Sequence, residues 1–176
     1  VIDFEKGAGL TLLHGQVESS GADEGAFGGS NPAITRQPLQ QFWDAFAGVR
    51  PEAVCVTNGT FFDAGADPAV LSLPINVDGQ LVSGGSWHDE YAGQTRMLEI
   101  WPDHARISNL TPDALAQSDA PEILGCLSEE APLDPAALIG RTFAGVDDAD
   151  GDGSAETVLL FSSKTTRTAD AAAVLR

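Results

Sequence analysis

Leu73-Pro74-Ile75-Asn76-Val77-Asp78-Gly79-Gln80-Leu81-Val82 reads as two short strands closed by a two-residue turn. Apolar and polar side chains alternate on both arms, as in strands with one buried face. Asp78-Gly79 tolerates the positive φ angles that the tightest hairpin turns require. Working outward, the same pattern recurs. Arg96 to Trp101 and Ala105 to Asn109 form a second strand pair around Pro102-Asp103. Arg141 to Val146 and Glu156 to Ser162 form another around an acidic turn, and Ile123 to Leu127 is a further apolar, strand-like run. Near the N-terminus, Val1 to Phe4 and Leu10 to Leu13 are expected to pair across a Glu5 to Gly9 turn.

Helical signals are fewer. Pro38 suits a first helical turn, and Leu39, Phe42, Trp43 and Phe46 make an i, i+3, i+4, i+7 stripe. Gly48 suits the position past the end, and the stripe is expected to pack in the core. Thr111 is placed to cap a short helix from Pro112, and Thr168 to Arg176 is Ala-rich and helical in pattern. Gly15 to Asn31 reads as a long Gly- and acid-rich loop that could flank a site. Many strands, two to three helices and no internal repeat predict an α+β fold. Its sheet should be mixed, mostly antiparallel and built of hairpins, not an alternating βαβ array.

The 176 residues suit one domain, spanning 1–176, and the 43% hydrophobic content supports a substantial core. Nine Lys and Arg stand against 26 Asp and Glu, for a formal charge of −17. Such a surface repels phosphate backbones, which argues against nucleic acid and anionic membranes as partners. No apolar run approaches the roughly 20 residues of a membrane span. The charge fits an extracellular or cell-surface setting, salt-exposed or rich in calcium, and fits simple colloidal solubility equally well. Cys55 and Cys126 lie in apolar runs and read as buried free thiols sooner than as a disulfide. Asn58-Gly59-Thr60 and Asn109-Leu110-Thr111 match the short glycosylation acceptor pattern. Val1-Ile2-Asp3-Phe4 looks like mid-strand, so the chain is expected to be cut at both ends.

Two segments carry the candidate chemistry. In Ala53-Val54-Cys55-Val56-Thr57-Asn58-Gly59-Thr60-Phe61-Phe62-Asp63, a predicted buried strand delivers polar side chains at its end. An ordinary strand and turn would give the same local pattern. Gly140-Arg141-Thr142-Phe143-Ala144-Gly145-Val146-Asp147 sets an Arg in a Gly-flanked strand of a cation-poor chain. A guanidinium binds phosphate through two parallel hydrogen bonds; a structural ion pair is its commoner use. Asn58 and Thr60 could donate to a phosphoryl or sugar oxygen, and Asp63 is near enough in sequence to carry a proton.

The ordered set Asn58-Gly59-Thr60-Phe61-Phe62, Pro74 to Gly85 and Arg141-Thr142-Phe143-Ala144-Gly145 resembles the phosphodiester glycosidase family, the group that includes the lysosomal uncovering enzyme. The resemblance runs over most of the chain. It implies hydrolysis of the bond between a sugar's anomeric carbon and a phosphodiester in extracytoplasmic glycans, with no required cofactor. It implies that Arg141 points into the site; with it, Asn58 and Asp63 are the expected catalytic residues, and Thr60, Phe62 and Thr142 are expected to contact substrate. The family's Asp-Gly-Gly-Gly-Ser loop, a better source of acid or base, has no counterpart before Arg176, so the C-terminal part of the domain is expected to be absent. The rival reading is a non-catalytic secreted binding or assembly module stiffened by calcium, with an assembly partner.

Two loops add candidates. Asp148, Asp150 and Asp152 alternate before Gly153 as in a calcium loop, with Glu156 nearby. Leu159 stands where that motif needs a bidentate Glu, and the flanks read as strands. Four crowded carboxylates repel unless a cation neutralises them, and oxygen ligands favour Ca²⁺. A bound ion is expected to rigidify the turn after Arg141; a solvated hairpin tip is the plain alternative. Trp87-His88-Asp89-Glu90-Tyr91 lacks a second His at helical spacing, so Trp87 is read as a platform for a sugar ring, against an idle surface loop.

Overall fold

Asp78 and Gly79 take φ of 51° and 76°, the left-handed pair that a tight hairpin turn demands. In this computed structural model, which describes residues 1–18, 22–87, 91–131 and 137–175, that turn joins two strands of the largest sheet. In chain order the strands are β1 (Ile2–Asp3), β2 (Asp23–Glu24), β3 (Ser30–Asn31), β4 (Ala33–Ile34), β5 (Ala69–Val70), β6 (Ile75–Val77) and β7 (Gln80–Ser83). They continue with β8 (Thr95–Ile100), β9 (Ala105–Asn109), β10 (Glu122–Leu127), β11 (Ile139–Asp147) and β12 (Thr157–Thr166). The helices are α1 (Leu39–Val49), α2 (Pro112–Gln117) and α3 (Thr168–Leu175).

Five strands form one sheet in the order β7-β6-β10-β8-β9, and three form another, β1-β12-β11. The strand ladders among the described residues are antiparallel, so the fold is α+β as the hairpins predict. Alternation along β8 divides its side chains between two cores. Leu98 and Ile100 join Phe4, Ala105 and Val158 in one cluster, which β11 and β12 cover through Ala144, Val146 and Leu160. Met97 joins Phe27, Leu73, Leu115 and Ile123 in the other, on the opposite face. Ala114 and Leu115 of α2 close that side, and the helix starts as its sequence requires: the Ala114 N–H donates to Thr111 Oγ1 at 3.0 Å.

Three expectations fail. Val1 to Phe4 does not pair with Leu10 to Leu13. Ile2 pairs instead with Val158, and a 3-10 turn at Phe4–Lys6, N-capped by Asp3, bends the chain away. Leu10 and Leu12 then pack on the core without a ladder. Ala53 to Thr57 is not a buried strand: it is irregular, and Val54 is 89% exposed. A β-branched run needs a neighbouring strand to complete it, and none among the described residues pairs with this one. The stripe on α1 is a helix as predicted but not core, since no α1 residue is buried.

Within the Gly15 to Asn31 segment, residues 26 and 27 are anchored to the end of β7. The Ala26 and Phe27 N–H groups donate to Gly85 and Gly84 at 2.8 and 3.0 Å, and both side chains are buried. No helix among the described residues is long and apolar enough to cross a membrane.

Candidate functional site

Arg141 sits near the start of β11, beside a register irregularity between Ile139 and Arg141. A bulge of this kind re-aims the side chains that follow it. Its Nε is buried and, among the described residues, has no hydrogen-bond partner. No ion pair found among the described residues involves Arg141. Thr142, the next residue, pairs across the hairpin with Ser162. Thr142 Oγ1 lies 3.2 Å from Ser162 Oγ and 3.1 Å from Thr57 Oγ1, and Thr57 Oγ1 also reaches Ser162 at 3.4 Å. Three hydroxyls thus join two segments that are 85 positions apart in the chain. Asn58, which follows Thr57, is exposed, while Thr60 Oγ1 is buried and has no hydrogen-bond partner among the described residues.

The remaining candidates divide into separate groups. Phe62 is 43% exposed, with the Arg36 guanidinium 5.5 Å from its ring centre. Arg36 also holds the loop below: Nη1 donates to the carbonyls of Ala64 and Ala66 at 2.8 and 3.1 Å. Asp63 is exposed, and its Oδ1 accepts from the Gly65 N–H at 2.8 Å, a turn within its own loop. Trp87 is partly buried against the core and sits between Phe61 and Tyr91, with ring centres 5.5 and 4.8 Å away. Both neighbours are aromatic, so Trp87 is a packed member of a ring series. His88, Asp89 and Glu90 lie outside the described residues.

Thr57, Ser162 and Arg36 were missed by sequence reasoning. The hydroxyls carry no motif of their own, and their meeting depends on how β11 and β12 pair. Arg36 did carry a signal, as one of nine cations in the chain.

At the far end of the same hairpin, carboxylate oxygens of Asp148, Asp150, Asp152 and Glu156 lie within 4.8 Å of one another. This acidic cluster could hold a metal ion. The loop is shaped by backbone donors: Gly151 and Gly153 donate to the two Asp148 oxygens at 2.7 and 2.9 Å. Ala149 donates to Glu156 Oε2 at 3.0 Å, and Ser154 to Asp152 Oδ1 at 2.7 Å. The turn is six positions from Arg141 at its nearest strand residue, or about 20 Å along an extended strand. Any stiffening by an ion would therefore act on the hairpin tip and not beside the guanidinium.

The two cysteines differ. Cys55 is exposed, against expectation, because the segment that carries it has no strand partner among the described residues. Cys126 is half-buried on β10, and desolvation pushes its thiol up to about 11. Both are free thiols. Comparison of the chain with protein-family models, curated proteins and solved structures found no match.

Proposed function

We propose that this chain binds and hydrolyses sugar phosphodiesters, with Arg141 as the phosphate clamp. The supporting observation is the enclosed Nε of Arg141, which has no hydrogen-bond partner among the described residues. A buried donor left unmade costs roughly 1–3 kcal/mol, and such a group marks either strain or the place of a ligand. Thr60 Oγ1 is another buried polar atom that has no partner among the described residues. The chemistry divides between them and their neighbours. Arg141 neutralises the phosphoryl oxygens through its planar fork, and Asn58 and Thr60 orient them. Phe62 and Trp87 offer apolar contact to the sugar. Cleavage of the anomeric bond needs a carboxyl group to deliver or accept a proton, and Asp63 is the carboxyl that these segments provide. The acidic surface and the substrate class fit an extracellular or cell-surface glycan.

The test is release of free sugar from a nucleotide sugar such as UDP-N-acetylglucosamine, together with its binding by calorimetry. Arg141→Lys should abolish turnover and weaken binding at least tenfold while leaving the melting temperature unchanged. Equal activity in the variant sinks the assignment of Arg141.

A second reading rests on the acidic turn. Four carboxylates supply only oxygen donors, the set that suits Ca²⁺, and a Ca²⁺-stiffened module could serve binding or assembly without catalysis. Ca²⁺ binding in a chain that neither binds nor cleaves the nucleotide sugar favours this reading.

A further inference from the structure

The β8–β9 turn and the acidic loop enclose a cleft of about 420 Å³, lined by Trp101, His104, Arg106, Asp119, Gly153 and Ser154. It lies at the hairpin tip, remote from Arg141, and does not depend on the phosphate-clamp reading. Its walls are fixed in an unusual degree of detail. Arg106 donates from Nε and Nη2 to the two oxygens of Glu99 at 3.0 and 2.8 Å. Glu99 is fully enclosed, and Ser108 and Ser118 each donate to it at 2.7 Å. The guanidinium is thereby locked, with its carbon 5.4 Å from the centre of the Trp101 ring. On that same indole, His104 stacks at 4.5 Å with an interplanar angle of 8°. His104 Nδ1 lies 2.7 Å from Asp103 Oδ1 and donates to that carboxylate, which fixes the ring's orientation.

We infer that this cleft is a binding site for a small neutral polyol of monosaccharide size. The charges decide the ligand class. Arg106 is already neutralised by Glu99, and Asp119 adds a carboxylate, so an anion such as phosphate meets a net negative wall. Arg106 Nη1 can donate, Asp119 can accept, and the Ser154 hydroxyl can do both. Hydroxyl groups, which do both, match that mixture. Arg106 and His104 both engage the Trp101 ring, so recognition runs through hydrogen bonds and not through ring stacking. The volume falls in the lower part of the roughly 300–1,000 Å³ typical of small-molecule clefts.

The test is a ¹H–¹⁵N NMR titration of the labelled chain with glucose, N-acetylglucosamine and myo-inositol, with inorganic phosphate in a separate arm. Saturable shifts of the Trp101 indole N–H and the Gly153 and Ser154 amides by at least one polyol, with none from phosphate, are expected. Asp119 is exposed, so Asp119→Ala should fold normally and weaken the response about tenfold, as loss of a charged hydrogen bond does. Ser154→Tyr should fill the cleft and abolish it. The inference is overturned by shifts that rise linearly across the whole surface, by shifts that survive both substitutions, or by no shift with any of the three polyols. A saturable response to phosphate at the same amides also overturns it. Each result is read without reference to nucleotide-sugar binding, so failure here leaves the Arg141 reading to its own test.

Discussion

Gly84 occupies a position where no side chain fits. A Cβ built on it would lie 1.9 Å from the Gly28 carbonyl oxygen and 3.0 Å from the Gly25 Cα. Both neighbours are backbone, which cannot swing aside as a long side chain would. Gly84→Ala should therefore lift the Ala26–Phe27 turn off the sheet edge and cost about 3 kcal/mol, read as a fall in the urea midpoint. Residue-scale chemistry also separates the thiols. Cys55 should react with a thiol reagent in the native protein at neutral pH, whereas Cys126, held protonated by burial, should react only after unfolding. Intact mass after native labelling would show one adduct; two adducts would mean that the β10 thiol is open to solvent. The sequence pattern around each cysteine is apolar, so it could not tell them apart. What differs is whether a sheet forms around it.

At the scale of elements, β8 and β10 each carry a carboxylate, and the two respond to pH in opposite directions. Burial works against ionisation of Glu99, but hydrogen bonds from Arg106, Ser108 and Ser118, with the Arg106 charge, outweigh it and hold the carboxyl below its ordinary range. That stability is present at neutral pH and is lost as pH falls through the lowered value. Arg106→Ala, which leaves Glu99 with hydroxyl partners alone, should cost about 2 kcal/mol at neutral pH in a denaturant titration. Glu122 faces the other core and ties the N-terminal segment down, accepting from Thr11 Oγ1 at 2.9 Å and the Leu12 N–H at 3.2 Å. Desolvation raises its carboxyl; the bonds from Thr11 and Leu12 do not offset this, and the charge of Asp78 adds to it. Its folded form binds a proton more tightly than its unfolded form, so its contribution favours folding below the ordinary carboxylate value and declines as pH rises through the raised one. Glu122→Gln should flatten that decline between mildly acid and neutral pH, monitored by chemical denaturation at several pH values; an unchanged slope would refute the role.

The same elements show what a sequence can carry. The β6–β7, β8–β9 and β11–β12 hairpins were legible because period-two alternation and turn residues lie in one continuous stretch of chain. Ala53 to Thr57 has equal β-propensity, yet a strand exists only where another chain segment completes its hydrogen bonds. That condition is non-local and leaves no local trace. The α1 stripe fails in a related way, since the period fixes the helix but not what lies opposite its apolar side.

For the whole molecule, the candidate site was half legible. Arg141, Thr142, Asn58 and Thr60 were named from the chain, but the hydroxyl bridge through Thr57 and Ser162 arises only when the hairpin and the 57–63 segment meet. The acidic turn was legible as a cluster, whereas its distance from Arg141 was not. If the cluster takes Ca²⁺, a hundredfold excess over Kd should add about 2.7 kcal/mol to stability, seen as a raised Tm. Asp150→Asn with Asp152→Asn should abolish the shift, and Mg²⁺, which demands stricter octahedral geometry, should give less of it. No Ca²⁺-dependent change in Tm would remove the cluster from consideration.

Ala105 and Ala155 form a clasp between the sheets. Each donates its N–H to the other's carbonyl, at 2.9 and 2.8 Å, and both are almost wholly enclosed. Ala155 ends the acidic turn, and Ala105 begins β9 on the five-stranded sheet. Their amides should therefore exchange with deuterium as one unit, on a clock set by the opening of the hairpin tip. Whatever quiets that tip would slow exchange at Ala105, in a strand it never touches. The smallness of both residues is then a requirement of joinery: a larger side chain at either position would pry apart the seam through which one sheet registers events at the edge of the other.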